Sequence, residues 1–415
     1  MRSPKFARSA LAAAVGLGLC LAGCRAPAAK TVEQRALDLH RRMLTVDTHC
    51  DTPFNLLRTD WKIGDRHDGA DRRSGKIDLP RMREGGLDAE FFAAFVGQGP
   101  RTPEGYGRAK DRALQAIDAV RKMTVEYADQ IGLALIPDDA RRLKKEGLLS
   151  AFIGMENGYP LGLDASLVES FFDLGVRYIT LCHSSDNDIC DSSTDRRDPQ
   201  DNGLSDFGRK IVEECNRVGM MVDISHASDK SFFDVLAVTK APVIASHSSS
   251  RAVCDNPRNL SDDMLRALAR NGGVIQICFL SAYVKAPVPN PERDAAMKAL
   301  EVKYGPLRAV QDEALRAQAM AEREAIYREF PPDRATVADL VDHIDHVKKV
   351  IGVDYVGIGT DFDGGGGVDG CDDVSGMIHV TEELIRRGYR DREIEKIWGG
   401  NFIRVFQKNL DLAGR

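Results

Sequence analysis

Residues 45–51 read Thr-Val-Asp-Thr-His-Cys-Asp, a short run with β-branched residues that ends in a histidine and an acid. Seven further runs of similar length follow at 91–96, 148–156, 178–183, 220–226, 242–247, 273–279 and 355–361. Brief apolar runs bounded by turn residues and separated by amphipathic helical stretches predict strands joined by crossover helices, hence a parallel sheet. The helix ends are marked in the sequence as well. Thr336 and Asp339 stand in capping-box spacing ahead of Gly352, and a helix over 261–271 stops at Gly272. Eight such units over roughly 370 residues predict an α/β fold, one (β/α)8 TIM-type barrel with helical insertions. No GxGxxG follows the first run, which counts against a doubly wound dinucleotide-binding sheet. The insertions fall near 102–147, mostly helical and charged, and near 286–332, with a long charged helix over 308–330. They read as solvated helices on the rim, with a lid or a homodimer contact as the other reading.

The net charge of -6 comes from well-mixed acids and bases, so no basic stripe suggests a nucleic-acid partner. The N-terminal stretch is different in kind. Arg2, Lys5 and Arg8 precede an apolar run from Ala10 to Ala22 that is short for a bilayer span, the pattern of a secretion signal over 1–24. It ends in Leu21-Ala22-Gly23-Cys24, which resembles the lipobox of bacterial lipoproteins. That resemblance implies acylation of Cys24, attachment to a membrane through the lipid and, with Arg25 next, a periplasm-facing place on the outer membrane. A linker and entry helix over 25–41 would lead into a single domain over 42–415. Beyond the leader seven cysteines remain, an odd number without a CxxC pair, and most read as buried strand residues rather than a disulfide framework.

The C-terminal strand ends of such a barrel form its active face. Here they deliver His49-Cys50-Asp51, Met155-Glu156, Cys182-His183, Ser225-His226, Ser246-His247 and Thr360-Asp361. Strand alternation puts His49 and Asp51 on one side, as a metal-binding HxD pair requires. Imidazoles and carboxylates gathered at one end of a barrel would be costly to bury without a cation among them. His49, Asp51, Glu156, His226 and His247 are too many ligands for one catalytic zinc with an open position. They suit two Zn2+ per chain that share a bridging carboxylate, for which Glu156 is placed. Asp361 is left as a proton carrier or a sixth ligand.

The runs VDTHCDTP, GMENG, LCHSSDN, DISHAS, ASHSS, VCDNPRN and GTDFDGG, in this order and followed by IEKIWGGNFIRVF, resemble the renal or membrane dipeptidase family of zinc peptidases. The resemblance implies that His49, Asp51 and Glu156 hold one zinc, and that Glu156, His226 and His247 hold the other. It further implies that His183 contacts the substrate carbonyl, Arg258 binds the substrate carboxylate and Asp361 carries the proton to the leaving amine. The expected substrate is a dipeptide, with a D-residue tolerated at the C-terminal position. On the same centre the alternatives are deacylation of N-acyl-D-amino acids and opening of a lactone or β-lactam ring. A non-catalytic peptide-binding lipoprotein is the reading outside enzymes.

Other signals are assigned structural roles. His343 and His346 lie on a helix that leads away from the active face, and His40, His67 and His379 read as surface residues. The Gly364–Gly367 run lacks the GK[ST] ending of a phosphate loop, and no GxSxG supports a serine nucleophile.

Overall fold

The computed structural model describes Met1 and residues 30–68, 74–195, 202–307, 310 and 312–415. The chain divides into two units, Met1–Thr31 and Val32–Arg415. The expected leader with Cys24, apart from Met1, and the linker up to residue 29 lie outside the described residues.

The second unit is built on nine parallel strands: β1 Val46–Cys50, β2 Ala89–Phe95, β3 Ile131–Leu133, β4 Leu149–Glu156, β5 Val176–Thr180, β6 Met221–Asp223, β7 Ile244–Ser248, β8 Val274–Ile277 and β9 Val356–Ile358. Eight of them pair in the order β1-β2-β4-β5-β6-β7-β8-β9. The ring closes where Asp51 N donates to Phe362 O at 2.8 Å and Asp361 N donates to His49 O at 3.0 Å. This is the (β/α)8 barrel expected from the eight runs. Barrel strands β1, β4, β7 and β8 are buried on both faces, as parallel strands covered by helices must be.

Three details differ from the sequence reading. Residues 102–147 hold not only helices, Pro103–Glu126 and Pro137–Lys145, but also β3, which pairs with the base of β4. Its three residues, Ile-Gly-Leu, are too short to show alternation. The runs 220–226 and 355–361 contract to β6 and β9, so their functional residues stand beyond the last ladder pair. In 286–332 the expected long helix is Glu313–Glu329, and a second helix, Pro291–Tyr304, precedes it and packs on it; each has one buried residue, Ala319 and Leu300. Arg308 lies outside the described residues. The seven cysteines are buried and free, but only Cys50 lies within a strand.

The floor of the barrel is closed by the C-terminal helix Asn401–Leu412. Asn401 Nδ2 donates to Val356 O at the start of β9, and Asn409 Nδ2 donates to Pro242 O ahead of β7. Phe402 and Phe406 meet Phe91 edge-on at 5.1 and 6.4 Å between centroids, and Phe91 stacks on Tyr178 at 5.5 Å. Aromatic packing of this kind holds the bottom shut and leaves the opposite end as the site-bearing face.

His40 is not the surface residue expected from sequence. In helix Val32–Arg42 it follows Ala36 by four residues and so shares its inward face. Its Nδ1 lies 3.1 Å from Gly86 O, and its Nε2 lies 2.6 Å from the hydroxyl of Thr381, which in turn accepts from Trp398 Nε1. His67 is half-buried, stacked on Trp61 at 4.8 Å; His379 is exposed. Burial lowers the His40 pKa to about 4, against a partly compensating bond to Gly86. The unfolded chain therefore takes up this proton first, so the stabilisation is complete above pH 6.5 and is lost as pH falls toward about 4. Urea unfolding across that interval should show wild type losing roughly 3 kcal/mol more than His40→Gln, which cannot titrate. Equal losses in the two proteins would exclude His40 as the titrating group.

Candidate metal centre

Glu156 is the last residue of β4, and its two oxygens divide the imidazoles around it. Oε2 lies 3.6 Å from His49 Nε2, while Oε1 lies 3.1 Å from His226 Nε2, 3.4 Å from His247 Nε2 and 3.8 Å from His183 Nε2. On the first side His49, Asp51 and Asp361 bring ligand atoms within 4.8 Å of one another. All five expected ligands, together with His183 and Asp361, thus converge at the barrel mouth. The geometry also gathers His183 with Glu156 and His226, and His247 with His49 and Glu156, so distance alone does not split the seven groups into two sets.

The chain reaches this arrangement through local backbone turns. Asn157, His226 and Asp361 have φ of 75°, 69° and 60°, left-handed values that non-glycine residues seldom adopt and that cluster at functional sites. Asn157 holds the turn after Glu156: its Nδ2 donates to Val96 O at 2.9 Å, and its Oδ1 accepts from Tyr159 N and Asn187 Nδ2. His49 Nδ1 lies 2.9 Å from the Tyr178 hydroxyl, which leaves Nε2 for the site. Tyr178 fits there because position 154 is glycine; a Cβ would stand 2.1 Å from its ring. Gly364 is equally constrained, since a Cβ would meet Asp361 Oδ1 at 2.1 Å and Asp51 Oδ2 at 2.2 Å. Asn157 and Tyr178 escaped the sequence reading. The isolated glycine of GMENG was their one visible signal, because glycine inside a strand marks a close approach.

Arg258 is buried in the loop after β7, with Nη2 donating to His247 O at 3.1 Å, Nη1 3.5 Å from Ser248 Oγ and its guanidinium 5.3 Å from the centroid of Tyr283. Its loop is tied by Asn256 Oδ1, which accepts from Arg258 N, and by Asn259 Nδ2, which donates to Cys254 O and Tyr283 O. Among the described residues no carboxylate lies within ion-pair distance of Arg258, and its Nε has no hydrogen-bond partner. His183 packs edge-on against Phe95 at 4.6 Å, and its side chain is 27% exposed, the most open of the four imidazoles. His343 and His346 are engaged elsewhere, with Ser250 N and Val284 O for the first and Asp262 for the second.

Among protein groups alone the site is electrostatically unbalanced. Burial works to raise the Glu156 carboxyl, yet the charges of His49 and His183 and the bonds from His226 and His247 hold it well below the carboxylate range. Burial likewise depresses His49, but Glu156, Asp51 and Asp361 together lift it to about 10. Asp51 is pushed well up by burial and then by the charge of Glu156. Asp361 rises to about 7, chiefly by burial, with His49 and Arg258 opposing. His247 falls to about 3 and His226 lower than usual, both by burial first. His49 Nε2 and Asp51 Oδ1 are buried without a hydrogen-bond partner, and His226 Nε2 and His247 Nε2 stand 2.9 Å apart facing the same oxygen. Orphaned nitrogen and oxygen donors aimed at a common point fit a divalent cation of the zinc type.

The profile of the membrane dipeptidase family, peptidase family M19, matches residues 33–414. Dipeptidase tcpJ of Claviceps purpurea (strain 20.1) is 33% identical over 360 residues, 85% of this chain and 74% of that protein. Dipeptidase 3 of Rattus norvegicus is 32% identical over 383 residues, 91% of this chain and 67% of that protein. Among solved structures, the probable dipeptidase PvdM from Pseudomonas aeruginosa superposes with a TM-score of 0.77 at 33% identity, covering 92% of this chain and 99% of that one. The chain belongs to the membrane dipeptidase family, peptidase family M19, a family of metallo-dipeptidases.

Proposed function

We propose that this protein is a binuclear zinc dipeptidase, exported and held at the outer membrane, facing the periplasm, by lipid on Cys24. The observation that carries the metal reading is the division of Glu156, with Oε2 toward His49 and Oε1 toward His226 and His247. His49, Asp51 and Glu156 would hold one ion, and Glu156, His226 and His247 the other. Such a pair supplies a water acidified toward neutrality and a polarised scissile carbonyl.

The chain's own residues account for the rest of the chemistry. Arg258, with Nε unpartnered and, among the described residues, no carboxylate within ion-pair distance, receives the C-terminal carboxylate of the substrate. His183, the most open imidazole, steadies the carbonyl oxygen as charge develops on it. Asp361, poised at about 7 by burial, accepts the proton released by the attacking water and passes it to the leaving amine. A carboxylate anchor at one end and a carbonyl site at the other fit a dipeptide and disfavour lactones, which bring no free carboxylate. The reading includes substrates with a D-residue at the C-terminal position.

Fully active protein should contain two divalent ions per chain by elemental analysis, and a single ion at full activity would exclude the shared-carboxylate reading. Arg258→Leu should lower kcat/KM for a free dipeptide by roughly 2 to 4 kcal/mol, the cost of losing a charge-assisted pair in a desolvated site. The poor turnover of the C-terminally amidated dipeptide should scarcely change. Equal losses on both substrates would reduce Arg258 to a brace for the His247 carbonyl. Cys24→Ser should move the protein from the membrane fraction to the soluble one, measured by fractionation. Retention in membranes would indicate a leader that is not removed.

A further inference from the structure

Asp223, the last residue of β6, is fully buried and has no cationic partner among the described residues. Its carboxylate is satisfied instead by four donors. Oδ1 accepts from Ser225 N at 3.0 Å and Ser246 N at 2.9 Å; Oδ2 accepts from Thr180 Oγ1 at 2.5 Å and Ser246 Oγ at 2.6 Å. Ser246 Oγ also lies 2.8 Å from His247 Nδ1. A serine hydroxyl has one proton, and an ionised carboxylate can only accept. Ser246 therefore donates to Asp223, and His247 Nδ1 must carry the hydrogen that it gives to the Ser246 oxygen. That leaves the lone pair of His247 on Nε2, the atom that faces Glu156 Oε1 at 3.4 Å.

We infer that Asp223, acting through Ser246, is a positioning residue that sets the tautomer of His247 and so makes its Nε2 a metal-ligating atom. The other imidazoles of the centre lack this support. His226 Nδ1 is buried without a partner, and His49 Nδ1 meets a neutral phenol. Among the described residues of the centre only His247 has its Nδ1 linked to a buried anion, which both fixes the ring and raises its basicity as a ligand. The hydroxyl makes the link directional, because a proton cannot point to Asp223 and to His247 at once. In Asp223→Asn the amide can present its NH2 to Ser246. The hydroxyl then turns toward His247 Nδ1, and the hydrogen moves to Nε2, where it blocks ligation.

This inference rests on the proposed metal reading, and its test separates the two. Full-length protein is loaded with zinc and titrated with chelators of graded strength, while the imidazole N–H resonances are followed by NMR and thermal unfolding is recorded. The expected result for Asp223→Asn is release of one ion at 10- to 100-fold lower chelator strength than in wild type, with the other ion held normally. The downfield Nδ1–H resonance of His247 should be lost in the same protein. Ser246→Ala, which removes the link but leaves Asp223 in place, should behave likewise and serves if Asp223→Asn does not fold. Thr180→Val, which removes one neutral donor and spares the link, should hold both ions within about twofold of wild type, since it leaves the His247 tautomer unchanged. Wild-type ion retention in both Asp223→Asn and Ser246→Ala overturns the inference. So does release of both ions together in step with a lowered Tm, which would make Asp223 a strand-end clamp. A wild-type protein with one ion would count against the binuclear reading and leave the tautomer test intact.

Discussion

A carboxylate only 2% exposed, with four imidazole Nε2 atoms within 3.8 Å, is the arrangement around which the open end of this barrel is organised. Burying Glu156 in the ionised state is unfavourable unless opposite charge surrounds it on several sides. No single strand can supply that, because alternation lets a strand deliver a residue to the interior only at every second position. Strand ends from around the ring must arrive together, which a closed parallel barrel accomplishes by construction. The imbalance left among the protein groups, with His49 pushed up to about 10 and His247 down to about 3, is the kind that a divalent cation relieves.

Holding these groups still falls to residues that never face the centre of the cluster. Asn157 joins β2, β4 and the loop after β5 through its side-chain amide. Tyr178 stands between His49 and Phe91, and Phe91 meets the C-terminal helix, so packing at the floor of the barrel is continuous with a ligand at its mouth. Close-packed interiors transmit displacement, which makes the closing helix part of the site's support rather than an appendage. The left-handed backbone at His226 and Asp361 costs on the order of 1 kcal/mol or more at each residue and is tolerated because neighbouring strands over-determine it.

Much of the fold was legible because hydrophobic runs and helix caps are local signals. The capping box of Thr336 and Asp339 forms as spaced, and Gly272 ends its helix in the left-handed conformation. What escaped was either too short or not local. β3 has three residues and pairs only because β4 extends beyond the start of β5. His40 looks exposed in sequence because one polar residue on an amphipathic helix carries no local sign of its partners, Gly86 and Thr381, which lie opposite.

The sequence by itself determined the parallel barrel and the chemical types presented at its open end, since strand runs and their terminal histidines and acids are written consecutively along the chain. It could not determine which oxygen of Glu156 faces which imidazole, that no carboxylate of the described residues lies within ion-pair distance of Arg258, or that Asp223 reaches His247 through one hydroxyl. The contacts of Glu156 with the imidazoles and of Asp223 with Ser246 join residues 23 to 107 positions apart and exist only once the strands are in register, because hydrogen-bond direction depends on distances of a few tenths of an ångström that no local pattern encodes.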